Sequence, residues 1–215
     1  MNAPPSYSHR WIHAWNKPSF RIQLAITIAL LLCILYFIPI FFNYIQNREG
    51  KTLNDQVLDL IGPVDVSWIT FTLIYTSLLS GLISLSHSPQ RLLMSLQAYC
   101  ILTFIRMLCI SLTPLNEPAG IIVLKDPLVE ILSYSGKVIT KDLFFSGHVS
   151  TTFLLFLCVT NRWLKKVLLL ATVLIAVLIL IQHVHYTVDV VIAPLFGFIA
   201  YKTAMYLQRR ITNKD

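Results

Sequence analysis

Residues 163–182 read WLKKVLLLATVLIAVLILIQ, and the next seven, 183–189, read HVHYTVD. The first run has twenty residues, and its only charges are Lys165 and Lys166 near the start. Wound as an α-helix it is about 30 Å long, the thickness of a bilayer's hydrocarbon core. The second run sets His183, His185, Tyr186, Thr187 and Asp189 at the mouth of another apolar segment. Ionisable groups at membrane depth are expensive and mark function. An apolar span that empties into a His-x-x-x-Asp pair predicts a bundle of membrane helices and also where its chemistry lies.

The rest of the chain repeats the pattern. Of 215 residues, 56% are hydrophobic and 13% charged, with a mean hydropathy of +0.69; soluble domains carry roughly 25% charged residues. Apolar segments at 22–42, 66–85, 92–112, 144–160, 163–182 and 184–207 predict an all-α, polytopic, six-transmembrane-helix bundle in one domain, 22–207. Residues 1–21 and 208–215 are its tails. The fourth segment is the shortest and begins with polar residues: Ser146, His148, Ser150, Thr151 and Thr152. Segment 22–42 is longer than the apolar region of a signal peptide, and no small-x-small site follows it, so it reads as a retained anchor. The four cysteines, Cys33, Cys100, Cys109 and Cys158, lie in apolar segments without CxxC spacing and read as buried thiols.

Charge orients the bundle. Arg48, Lys51, Lys125, Lys137 and Lys141 fall in the loops of one side, Arg106 falls inside a span, and the other eleven Lys and Arg lie on the opposite side. The positive-inside rule then places both termini in the cytoplasm. Glu49, Asp55, Asp59, Asp65, Glu117, Asp126, Glu130 and Asp142 all lie on the far, exoplasmic side. The net charge of +7 reads as topology and attraction to anionic lipid. It does not indicate nucleic acid, since no basic, aromatic-interleaved groove is present. Two far-side loops are long. Leu53, Val57, Leu60 and Ile61 suggest one amphipathic helix within 50–65, ended by Gly62-Pro63. Residues 114–143 form a lid, a binding element or a plain connector.

This topology brings four polar residues from three segments to one depth. His148 opens the fourth segment, His185 and Asp189 open the sixth, and Arg106 lies roughly 10 Å before the end of the third. His185 and Asp189, four apart, share a helix face. A carboxylate on one imidazole nitrogen sets the tautomer and frees the other to attack. His148 can protonate a leaving oxygen. Ser146-Gly147 puts small residues at a helix start, whose free N–H groups suit phosphate, and Arg106 adds a forked cation. Asp142, His183 and Tyr186 stand beside them as supporting residues. No cluster of Asp or Glu is present to hold magnesium, so the predicted chemistry uses no metal and no cofactor, and its partners are membrane lipids.

Plainer readings compete. His148 can be an interfacial histidine bonded to backbone, His185 with Asp189 a helix-capping pair, and Arg106 a snorkelling side chain. His183, His185 and Asp189 can be zinc ligands, although the spacing lacks a typical scaffold. A carrier or proton-linked transporter that uses the buried His and Asp as a relay is a different class; the Pro39 and Pro194 interruptions fit it, but no inverted repeat is visible.

These motifs resemble the type 2 phosphatidic acid phosphatase superfamily, and most closely its sphingomyelin synthase-related branch. The branch's Asp-x-x-aromatic-Ser-Gly-His run is matched by Asp142 through His148. Its His-x-His-Tyr-Thr-x-Asp-Val run is matched by His183 through Val190. Its third-span arginine, with a following Thr near a Pro, is matched by Arg106, Thr113 and Pro114. The resemblance implies an exoplasmic site, a phosphohistidine on His185 with Asp189 as its partner, and leaving-group protonation by His148. It implies transfer of a phospho-headgroup to a lipid alcohol such as ceramide or diacylglycerol, or to water in a lipid phosphate phosphatase. The phosphatase branch's Lys-x6-Arg-Pro motif is broken here by Tyr99 and Met107, and its Ser-Arg pair before the nucleophile by Leu178 and Ile179. Lys141 stands where synthases often have glycine.

Overall fold

The computed structural model describes residues 7–124 and 139–212. The middle of the 114–143 loop therefore lies outside the described residues, and with it Lys125, Lys137, Asp126 and Glu130 of the charge count. Among the described residues the structure is helical and has no strand; a single parallel bridge pairs Lys51 with Leu115. Helix α1 is Tyr7–Trp15, α2 Pro18–Gln46, α3 Gln56–Asp59, α4 Ser67–Ser86, α5 Pro89–Leu112, α6 Gly147–Cys158, α7 Arg162–Ile181 and α8 Thr187–Thr212.

Local sequence accounts for most boundaries. Pro18 and Pro89 stand in the first turns of α2 and α5, where a missing N–H costs nothing. The Asn161 side chain accepts the N–H groups of Trp163 and Leu164 and so starts α7. Ser146 and Asp55 cap α6 and α3 in the same way. The end of α4 is capped from outside: Trp11 Nε1 donates to the Ser86 carbonyl at 2.9 Å, and Arg10 to that of His87 at 3.2 Å. The 1–21 tail thus contains a helix docked on the bundle, and α2 begins at Pro18, before the predicted segment.

Among the described residues five helices, α2, α4, α5, α7 and α8, are long and apolar enough to cross a membrane. The fourth predicted segment gives only α6, 12 residues or about 18 Å. Extended backbone at Val159 ends α6, and the cap Asn161 is extended as well. Short as it is, α6 sits at the centre, packed on α4, α5, α7 and α8. Small residues allow that approach. A Cβ on Gly197 of α8 would lie 3.1 Å from the Ser150 carbonyl of α6, and one on Gly81 of α4 would lie 3.1 Å from Leu155. Ala193, Ala200 and Ala204 continue the buried stripe along α8; close packing of small residues is what holds helices together in lipid.

Helix α2 stands outside. It packs on α5 and α1, and its only buried residues are Phe20, Thr27 and Ile45. Near its start, Gln23 joins Gln97 of α5 and Gln208 of α8 in an amide cluster. Near its end, Arg48 caps α5 by donating to the carbonyls of Ile110 and Ser111. Cys33 is therefore exposed, contrary to the expectation of four buried thiols; Cys100 and Cys158 are buried.

The amphipathic helix expected within 50–65 is not formed. Only α3 is helical there, and the residue it buries is Leu58, while Leu53, Val57 and Leu60 are exposed. The cause is tertiary. Lys51 exchanges backbone bonds with Pro114 and Asn116, and Gly50 runs so close to Leu115 that a Cβ would sit 2.5 Å from its carbonyl carbon. The Asp55 carboxylate then starts a new turn and reaches across to Thr187.

Candidate active site

Two backbone strips, 47–66 and 113–124, meet residues 139–146 and the α7–α8 connection at one end of the bundle. Helix α5 arrives there with Arg106, α6 starts there with His148, and α8 starts there with Asp189. A main-chain bond joins the two motifs: the Ser146 N–H donates to the Asp189 carbonyl at 3.0 Å.

His185 precedes α8 rather than lying on it, since the helix starts at Thr187. The expected shared helical face is therefore a contact between a turn and the helix's first turn. Its geometry still pairs the groups: His185 Nδ1 lies 3.2 Å from Asp189 Oδ2. The same oxygen accepts the Tyr186 N–H at 3.3 Å, reaching back from the third helical position as in a capping box. Capping and pairing with the imidazole are thus performed by one carboxylate. His185 is 3% exposed and Asp189 0%, and Asp189 Oδ1 is buried without a hydrogen-bond donor among the described residues. A carboxylate facing one imidazole nitrogen favours the tautomer whose N–H points at it.

Arg106 does not snorkel. Its side chain is 16% exposed and turned inward, pairing with Asp142 at 2.8 Å and donating from Nε to the Phe145 carbonyl at 3.2 Å. It lies directly over Gly147: a Cβ there would fall 2.7 Å from the guanidinium carbon. The glycine of Ser-Gly-His is needed for that contact. Ser146 is fully buried, and its Oγ accepts the Val149 N–H at 3.5 Å. Gly147 and His148 occupy the first two positions of α6. The His148 ring meets Phe71 edge-on, 6.3 Å between centroids.

Arg106, Asp142, Gly147 and His148 form the polar end of a groove of about 580 Å³. Its other walls are largely apolar and come from α2, α4, α5 and α6, with Leu31 and Ile38 on α2, Leu78 on α4 and Cys158 at the far end of α6.

Of the supporting residues, Asp142 lines the groove, while Tyr186 and His183 turn away from it. Tyr186 is buried; its hydroxyl donates to the Asn116 carbonyl and accepts the Leu53 N–H, tying both strips to α8. Both ring nitrogens of His183 face carbonyl oxygens, of Ala119 and Ile61, which removes it from any zinc site with His185. Four residues that organise this end were not among the predicted site. Asp55 accepts the Thr187 N–H and hydroxyl, Gln182 bonds Ser67 and Val66, Gln46 holds Thr140 and the Lys141 N–H, and Asn116 bonds Gly50. The available signals were Asp55 as an N-cap type before a short helical stretch and Gln182 as a lone amide after an apolar run.

Among the described residues the chain is all-helical, with several helices long and apolar enough for an integral membrane protein. Residues 141–206, which span α6, α7 and most of α8, match the family model described as PAP2 superfamily C-terminal. The match covers only this C-terminal part of the chain, which is what is similar to the type 2 phosphatidic acid phosphatase superfamily. No curated protein matches the chain.

Proposed function

We propose that this protein is a sphingomyelin synthase-like lipid phosphotransferase working through a phosphohistidine. His185 Nε2 attacks the phosphorus of a donor lipid, a P–N bond forms and the P–O bond to the leaving alcohol breaks. His148 gives its proton to that oxygen. An acceptor hydroxyl then attacks the phosphorus, its proton returns to His148, and His185 leaves. Asp189 holds the Nδ1–H and stabilises the imidazolium side of the cycle. Arg106 and the α6 N-terminus, through Ser146-Gly147, receive phosphate oxygens. The Asp142 carboxylate now on Arg106 yields to the substrate's phosphate.

The observation that carries the reading is the groove. It joins a polar end that bears Arg106, Asp142 and His148 to a long, largely apolar channel whose outer wall is the loosely packed α2. A molecule that fills both parts has a phosphate at one end and hydrocarbon at the other. Transfer to a lipid alcohol such as ceramide or diacylglycerol makes a new phospholipid; transfer to water makes the protein a lipid phosphate phosphatase. In this reading α6 with its extended continuation to Asn161 is the sixth crossing, about 18 Å of helix and about 10 Å of extended chain. The termini are cytoplasmic and the site exoplasmic, which accords with the positive-inside rule.

The test is product analysis on purified protein, using donor lipids with a labelled phosphate, with and without an acceptor lipid. A labelled phospholipid that appears only with acceptor supports transfer; labelled inorganic phosphate supports hydrolysis. Turnover is expected to survive EDTA and to vanish in folded His185→Ala. Turnover near wild type in that variant would sink the mechanism, and loss on chelation reversed by a divalent ion would sink its metal independence.

A further inference from the structure

His183 has no role in the chemistry above, yet it is 5% exposed and engaged at both ring nitrogens. Nδ1 lies 2.9 Å from the Ala119 carbonyl oxygen and Nε2 lies 2.8 Å from that of Ile61. The two carbonyls belong to different strips of the site end, one following α5 and the other preceding α4. A neutral imidazole carries one N–H, so it donates to one carbonyl and turns a lone pair on the other. An imidazolium donates to both. At these separations no water fits between ring and oxygen.

The geometry points to His183 as a proton-operated clamp and a positioning residue. Its imidazolium ties the two strips across the turn that presents His185, and loss of the proton releases one of them. Backbone bonds of the same connection accompany the ring. The Val64 N–H donates to the Ile181 carbonyl and the Ile122 N–H to that of Gln182, each at 3.1 Å. His183 itself has φ 57°, left-handed backbone that a non-glycine residue keeps only when its surroundings impose it. The ring's two bonds are part of that imposition, so the turn leading to His185 depends on them.

Acidic residues line the pocket that the ring shares. Asp55 and Asp59, from α3 and its cap, share with His183 a pocket of about 360 Å³ that Tyr186 also lines; no Lys or Arg lines it among the described residues. Glu117 stands on the Ala119 strip and Asp65 on the Ile61 strip, while His185 and Asp189 follow in the ring's own connection. The consequence for turnover rests on His185 being the nucleophile; the clamp itself does not.

Amide hydrogen exchange on the full chain in phosphatidylcholine nanodiscs tests it, from about pH 5.5 to about pH 8.5, the range in which imidazoles titrate. Protection is expressed relative to the intrinsic exchange rate at each pH. Protection of the Val64 or the Ile122 amide is expected to fall about tenfold as pH rises, the scale of one lost charge-assisted hydrogen bond. The Gln182 amide, bonded within α7 to Leu178, is expected to stay flat. His183→Gln places a neutral donor near Nε2 and should protect Val64 and open Ile122 at every pH; His183→Asn should do the reverse. Wild-type protection at both amides that is indifferent to pH overturns the clamp, and so does unaltered pH dependence in both variants. Should the variants fail to fold, the wild-type titration decides alone. No outcome depends on turnover, so failure of the clamp and failure of the phosphotransferase reading are distinguishable.

Discussion

Arg106 is positioned by three neighbours, the Asp142 carboxylate, the Phe145 carbonyl and the bare face of Gly147. A lysine keeps the charge and can keep one of those contacts, but it has neither the Nε–H nor the planar fork. Arg106→Lys is therefore expected to lose about tenfold or more in turnover at matched expression, and Arg106→Gln more still. Full activity in the lysine variant would remove Arg106 from the site. Gly147→Ala tests the same contact from the other side. Its methyl would fall 2.7 Å from the guanidinium carbon, so the arginine must move. The alanine variant should fold and show a turnover defect similar to that of Arg106→Lys. The double variant should be little worse than either, because residues in contact do not add. Additive losses would mean that Gly147 serves something other than Arg106.

At the scale of elements, the chain between α2 and α4 belongs as much to α8 as to its own neighbours. Asp55 caps α3 with one carboxylate oxygen and holds the start of α8 through the Thr187 N–H and hydroxyl. Burial on its own pushes this carboxyl up, but the hydrogen bonds from Thr187, Leu58 and Val57 outweigh it and hold it below its ordinary 3.8. A lowered carboxyl contributes stability that is in place above its unfolded value and is lost as pH falls through its folded one. Asp55→Ala should thus lower the thermal midpoint at pH 7 by about 2–4 °C, equivalent to about 1 kcal/mol. The gap from wild type should narrow once the pH drops below 3.8. A gap that stays constant across that range would assign the effect to packing rather than to charge.

For the molecule as a whole, the distribution of charge and the placement of the site make one claim about sidedness. Leu60, 87% exposed beside α3, lies at the site end, and Arg209 lies at the opposite end near the finish of α8. In a variant whose four native cysteines are replaced, Leu60→Cys in intact cells should react with an impermeant thiol reagent, and Arg209→Cys should react only after the membrane is opened. The opposite pattern would turn the site toward the cytoplasm.

What the sequence determined by itself follows from local rules. A run of about twenty mostly apolar residues must satisfy its backbone internally, so the spans at 66–85, 92–112 and 163–182 were legible to within a few residues. The same holds for α6 starting behind Ser146, because an N-cap is a property of four consecutive residues. The juxtaposition of Arg106 with Ser-Gly-His followed from alternating the direction of successive helices, and that of His185 with Asp189 from their spacing of four. Local rules could not move the start of α8 past His185, since that end is set by a bond to distant chain, Thr187 to Asp55. They also misread 50–65, where an apolar periodicity lost to the pairing of Lys51 with Leu115. Only the tertiary structure decided that His183 faces two carbonyls, because an acceptor supplied by another strip's backbone carries no side-chain signature at all.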